Sequence, residues 1–201
     1  YSMNNYAILI GNGDGVEYDS SEEELYYQEA VWKNLPDAMK SLALIITDEK
    51  RIRYMYKEAA NNGDIYAMYK YALLLENGNA TQEDVREELA YFSRAAKYGY
   101  VDAMTCYGDI LKYGDGEVIG AKDAVKYYKK AIAKGSAEAM NKYASMLYNG
   151  KGIMINKEVA AKYYKMSADK GDTAAMNQYA SMLYNGDGIE IDKEGALKYY
   201  K

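Results

Sequence analysis

The stretches from Asn141 to Ile153 and from Asn177 to Ile189 agree at all but two positions across an offset of 36 residues. The differences are Lys142 against Gln178 and Lys151 against Asp187. A chain that repeats itself at such a period is built from copies of one supersecondary unit, each too small to bury a core of its own, so the units must stack. The same register places one methionine per unit: Met3, Met39, Met68, Met104, Met140 and Met176, in steps of 36, 29, 36, 36 and 36. The spacing predicts a single array over 1–201, with units over 1–38, 39–67, 68–103, 104–139, 140–175 and 176–201. The second is short and the last is cut off in mid-pattern, so the chain reads as a piece of a longer protein.

Each unit reads as two helices. In the unit from Met140, helix A is expected over 137–148, where Ala139, Tyr143, Ala144 and Leu147 are spaced as one apolar face. Helix B is expected over 157–169 and presents Ala160, Tyr163, Tyr164, Ser167 and Ala168. Small residues at Ala144 and Ala160 let the two axes approach closely. Paired glycines in 149–152, 185–188, 12–15 and 113–116 stop helix A, because glycine accepts the positive φ that ends a helix. Gly63, Gly99, Gly135 and Gly171 close helix B in the same way. Asp19 with Glu22, and Asp84 with Glu87, have the spacing of a capping box at the start of helix B. Pro36 falls where the second helix A begins, a position that loses no hydrogen bond.

Function classes narrow by exclusion. A net charge of -5 offers nucleic acid no broad cationic face. The longest apolar candidate for a membrane span, 41–47, falls far short of the roughly 18 residues required. A single Cys106 rules out an internal disulfide framework and fits a reducing compartment such as the cytoplasm. The chain has no histidine, the commonest general base, and Cys106 reads as a partly buried, inert thiol. The segment 185–194 resembles a calcium loop, but its first ligand position would be Leu183, so it reads as a turn. Glycines 114, 116 and 120, like 11, 13 and 15, lack the preceding strand of a dinucleotide site. The carboxylates recur at surface registers and read as a solvated face. No catalytic residue, metal site or cofactor is expected. The tyrosine pairs Tyr26-Tyr27, Tyr127-Tyr128, Tyr163-Tyr164 and Tyr199-Tyr200, with Tyr91-Phe92, read as packing residues, each ring contributing about 1.5–3 kcal/mol when buried.

The pattern Ala139, Tyr143, Ala144, Leu147, Gly150-x-Gly152-Ile153, Asn156, Ala160, Tyr163-Tyr164, Ser167-Ala168 and Gly171 resembles the Sel-one-like repeat family, a relative of the tetratricopeptide repeats. The resemblance implies an all-α fold, a right-handed superhelical solenoid of antiparallel helix pairs. It also implies a non-catalytic scaffold or adaptor for proteins. Arrays of this family serve in ubiquitin-ligase complexes of the endoplasmic reticulum, as activators of cell-wall synthases, as bacterial host-interaction factors and as modules attached to protein kinases. The unit from Met39 departs from the pattern by lacking the glycine loop, and Glu23, Ile52 and Glu88 replace the helix B alanine in the first three units, so packing there should be looser.

Helix A lines the concave side in such superhelices, which places the expected groove on the side of helix A opposite its core. The stripes are Tyr69, Leu73 and Glu76; Thr105, Asp109 and Lys112; Asn141, Ser145 and Tyr148; and Asn177, Ser181 and Tyr184. The expected ligand is a peptide or protein. Two further readings stay open: a structural component that self-associates through its end repeats, and a regulatory repeat region of a larger enzyme such as a protein kinase.

Overall fold

The computed structural model describes Ser21, Leu25, Glu29, Trp32, Lys33, and residues 49–76, 81–113 and 120–200. Every extended element among them is a helix: α1 (Glu49–Asn61), α2 (Ile65–Glu76), α3 (Gln82–Lys97), α4 (Val101–Tyr113), α5 (Ala121–Ala133), α6 (Ala137–Asn149), α7 (Lys157–Ala168), α8 (Thr173–Asn185) and α9 (Lys193–Tyr199). Two compact units divide at Tyr98 and Gly99. In the first, α1 packs on α2 and α2 on α3. In the second, each helix from α4 to α9 packs on its successor.

Boundaries follow from caps. The Ser136 hydroxyl accepts the Ala139 amide at 3.1 Å to start α6, and the Asp172 carboxylate accepts the Ala175 amide at 2.8 Å to start α8. Both helices close on a left-handed glycine, Gly150 at φ 69° and Gly186 at φ 74°, whose amides donate to the Met146 and Met182 carbonyls. Side chains are doubly unwelcome here, because a Cβ on Gly150 would stand 2.6 Å from Ile155 Cγ1 and one on Gly186 2.7 Å from Ile191 Cγ1. The start of α3 corrects the expected box. Thr81 is the cap and Asp84 the third helical residue, each accepting the other's amide, at 3.1 and 2.9 Å. The helix begins three residues earlier than an Asp84 cap would require, which releases Glu87 for contacts with α1 and α2. Asp19, Glu22 and Pro36 lie outside the described residues.

Packing within a helix pair is set by aromatic rings. Tyr71–Tyr91, Tyr107–Tyr127, Tyr143–Tyr163 and Tyr179–Tyr199 meet edge to face with centroids 4.8, 4.7, 5.0 and 5.0 Å apart. The next residue along each helix B, Phe92, Tyr128 or Tyr164, is fully buried, whereas Tyr200 at the last is half exposed. Small side chains sit opposite: Ala72, Ala144 and Ala180 are buried, and α4 carries Gly108 in that register. The registered Met68, Met104 and Met140 are buried too. The helix B alanine is buried as Ala124, Ala160 and Ala196. Its substitutes Ile52 and Glu88 are only half-buried, and burial, followed by the charge of Glu76, pushes the Glu88 carboxyl above its usual range.

Gly108 gives a direct test of this packing, since a Cβ there would lie 2.6 Å from the Tyr128 ring. Gly108→Val should cost about 1–3 kcal/mol in urea unfolding through overpacking. A cost below about 0.5 kcal/mol would show that the ring moves aside freely.

Candidate functional site

Carboxylates join neighbouring helix pairs. In the first unit the Glu87 carboxylate accepts from Lys57 Nζ at 2.8 Å and from the Tyr71 hydroxyl, linking α1, α2 and α3. Arg53 donates to Asp84 at 3.4 Å and to the Leu74 carbonyl at 3.1 Å, and the Tyr91 hydroxyl donates to Asn61 at 2.7 Å. The Glu87 hydrogen bond raises the Lys57 ammonium above its normal range. Burial first, and the Glu87 bond second, push the Tyr71 hydroxyl up to about 12. Arg53, Lys57, Tyr71, Asp84 and Glu87 line an open cleft of about 350 Å³ together with Lys50, Tyr54, Thr81 and Glu83. Its central acids and bases are committed to one another, Lys57 and Tyr71 to Glu87 and Arg53 and Thr81 to Asp84.

In the second unit Asp109 accepts from Tyr128 Oη at 2.7 Å and pairs with Lys142 of α6 at 3.1 Å. Asn141 Nδ2 donates to Asp172 at the head of α8, at 3.2 Å. Asp187, in the loop after α8, accepts from Lys157 Nζ at 2.6 Å and from the Tyr148 hydroxyl. The Lys157 bond, aided by that of Tyr148, holds the Asp187 carboxyl below its usual range. Tyr199 Oη donates to Asp169 at 3.0 Å. These carboxylates are joints between repeats, which corrects their reading as a uniformly solvated face. The supposed calcium loop spends Asp187 on Lys157 and Tyr148.

The joints account for both differences between the near-identical stretches. Lys142 meets Asp109 one repeat earlier, but the position one repeat before Gln178 is Ser145, which carries no charge. Asp187 meets Tyr148 and Lys157, but the residues in the same register one repeat earlier are Lys112 and Ala121, and the loop there carries Lys151. Lys142 and Asp187, one from each copy, are thus the two differing residues that bond to the preceding repeat.

The expected groove positions divide. Glu76, Asn177 and Tyr184 are exposed, and Tyr69, Leu73, Ser145, Tyr148 and Ser181 are half-buried. Tyr69 lies 6.1 Å from the Phe92 ring, and Lys193 Nζ stands 5.3 Å over the Tyr184 ring. Thr105 and Lys112 are buried at 1% and 6% exposure, against the expectation of an outward stripe. Thr105 holds the register of Asn141, whose side chain reaches the next helix A, so this edge of the stripe turns into the seam between repeats. Asp109, Asn141 and Tyr148 are likewise engaged in joints. Exposed Glu138, absent from the expected stripe, lies beside them. Partial loss of hydration on its covered side raises its carboxyl, with the charges of Asp109, Asp102 and Asp172 adding to the shift and Lys142 opposing it. The 36-residue recurrence of an acid at Asp102 and Glu138 could have signalled this face. Cys106 is half-buried.

The Sel1 repeat pattern matches residues 1–30, 65–100, 101–136, 137–172 and 173–201. The chain belongs to the Sel1 repeat family. Its all-helical fold is that of the Sel1 solenoid, similar to a solved Sel1 repeat protein from Oxalobacter formigenes, with a TM-score of 0.77 and 28% identity over 98% of this chain and 84% of that one. A protective antigen of uropathogenic Escherichia coli strains displaying an SLR fold matches with a TM-score of 0.52 and 21% identity, over 99% of this chain and 52% of that one. Pseudomonas aeruginosa 5086 matches with a TM-score of 0.58 and 16% identity, over 99% of this chain and 78% of that one. No curated protein matches the chain. Sel1 repeat proteins are in general protein-interaction scaffolds and typically non-catalytic, which implies protein partners for this one. Among the described residues no helix is long and apolar enough to cross a membrane.

Because the folded Asp187 carboxyl titrates below a free aspartate, its joint contributes fully above the unfolded value near 3.8 and fades as pH falls through the lowered folded value. Between about pH 5 and about pH 2 the Asp187→Asn variant should therefore lose less of its thermal stability than the unaltered protein does. Equal losses in the two would remove Asp187 as an acid-sensitive joint.

Proposed function

We propose that this Sel1 protein is a non-catalytic scaffold that holds a peptide or protein edge against the outward side of its A helices. The observation that carries the reading is the pair Tyr148 and Tyr184. They occupy the same register on α6 and α8, with Tyr184 53% exposed. Large aromatics with one wet edge supply most of the binding energy at protein interfaces. Around them Ser145, Ser181, Asn177 and Asn149 offer polar groups at the surface, suited to a backbone whose own donors and acceptors need partners. Thr105 and Lys112 leave the candidate set because they are buried, and Asp109 and Asn141 support the face from the seam.

Tyr184→Ala should weaken partner capture roughly tenfold, in line with loss of an interface anchor. Tyr148→Phe should weaken it less, since the ring remains and only the bond to Asp187 is lost. A photoreactive residue at Asn177 should cross-link the partner, whereas one at Lys162 on the exposed side of α7 should not. Cross-linking from Lys162 alone would move the binding face to the B helices.

A further inference from the structure

The outward side of helix B changes chemical character along the chain. On α5, Lys122, Lys126 and Lys130 are spaced on one face and all three are exposed. None of them forms an ion pair among the described residues, in contrast to Lys162 and Lys165 of α7, which are tied to Glu158 and Asp169. The Lys130 ammonium stands over the Tyr127 ring, with Nζ 5.0 Å from the centroid. Asp123 is the only acid in α5, and the chain from Gly99 to Lys201 contains no arginine.

The first repeat carries no lysine at the same register. Ser21, Leu25 and Glu29 occupy the positions of Lys122, Lys126 and Lys130, and Trp32 follows within one turn. All four are helical and exposed, with Leu25 65% and Trp32 80% in water. Trp32 is the chain's only tryptophan, and residues 1–32 carry seven carboxylates and no lysine or arginine. Glu29 is paired with Lys33 at 2.8 Å, so the excess negative charge of this segment comes from its other acids.

We propose that the Leu25–Trp32 face of one copy docks on the lysine face of α5 of a second copy. This surface is separate from the A-helix face and does not depend on it. An exposed tryptophan and a leucine on one helix have the pattern of an interface anchor, and the net negative charge of residues 1–32 favours approach to a cationic surface. Lysine stems can cover the indole while their ammonium groups reach its face, as the Lys130 ammonium reaches that of Tyr127. A phosphate backbone fits this face less well. The chain as a whole is anionic, and lysines without arginine lack the bidentate fork suited to phosphate. The contact is heterologous: reciprocated it closes a dimer, and unreciprocated it grows a chain of copies.

Sedimentation equilibrium on the purified protein tests this. The mass should rise above the 22.6 kDa of one chain with increasing concentration, in low salt. It should fall back at about 0.5 M NaCl, where such charges are screened. The Trp32 emission should shift to shorter wavelength over the same concentration range as the ring leaves water. Trp32→Ala, and separately Lys126→Glu with Lys130→Glu, should each weaken association at least about tenfold with unchanged helicity. Mixing the two variants should restore heterodimers, because one retains an intact lysine face and the other an intact tryptophan face. A mass of 22.6 kDa at every concentration overturns the proposal. So does association indifferent to both sets of substitutions, or a mixture that fails to recover.

Discussion

The helical pairs of this protein depend on an edge-to-face meeting of two tyrosines, one from each helix. The contact recurs from Tyr71–Tyr91 to Tyr179–Tyr199 with centroids within 5.0 Å of each other and fixes how far apart the two axes lie. Smaller choices follow from it. An alanine or Gly108 on helix A makes room for the adjacent buried aromatic, and an alanine on helix B allows the approach. In a solenoid only two helices thick, no core ring is far from water, and phenylalanine would leave that wet edge unused. The hydroxyls of Tyr71, Tyr91, Tyr128 and Tyr199 reach acceptors on neighbouring elements instead. At these four positions tyrosine makes a contact that phenylalanine could not, in a chain with 25 tyrosines and one phenylalanine.

The same rings fasten one pair to the next. Lys57 lies over Tyr71 at 5.5 Å and Lys129 over Tyr143 at 5.4 Å, each lysine coming from the helix B that precedes the ring. Asn61 and Asp169 receive the Tyr91 and Tyr199 hydroxyls at the corresponding place. The ion pairs of Lys57, Lys142 and Lys157 run between repeats, whereas the four recurring tyrosine pairs lie within them. The division lets loop and rim residues vary from unit to unit without disturbing the core.

Most of the fold was legible because its determinants are local and periodic. The positions of Gly150 and Gly186, the A-face spacing of Ala139, Tyr143 and Leu147, and the small residues at Ala144 and Ala160 led directly to α6, α7 and α8. The α3 cap was misread because Asp84 can serve either as cap or as third residue, and only the Thr81 hydroxyl decides between them. The candidate site was less legible. A helical wheel treats one helix in isolation, so Thr105 and Lys112 looked outward although they are buried. The wheel finds the face away from a helix's own partner, but the seam with the next repeat is set by stacking. The tyrosine pairs were visible in part. Their helix B members were identified, but the helix A partner twenty residues earlier became evident only from ring geometry.

The Asp187 joint also bears on how the chain would respond to mechanical load. Asp187 ties the last loop to both Tyr148 and Lys157, whereas the loop one repeat earlier carries Lys151 and faces a different set of neighbours. Near-identical repeats are thus clamped to their predecessors by different bonds. Under tension, a stack of this kind yields at its weakest clamp, so the substitutions that individualise the copies also set the order in which they come apart.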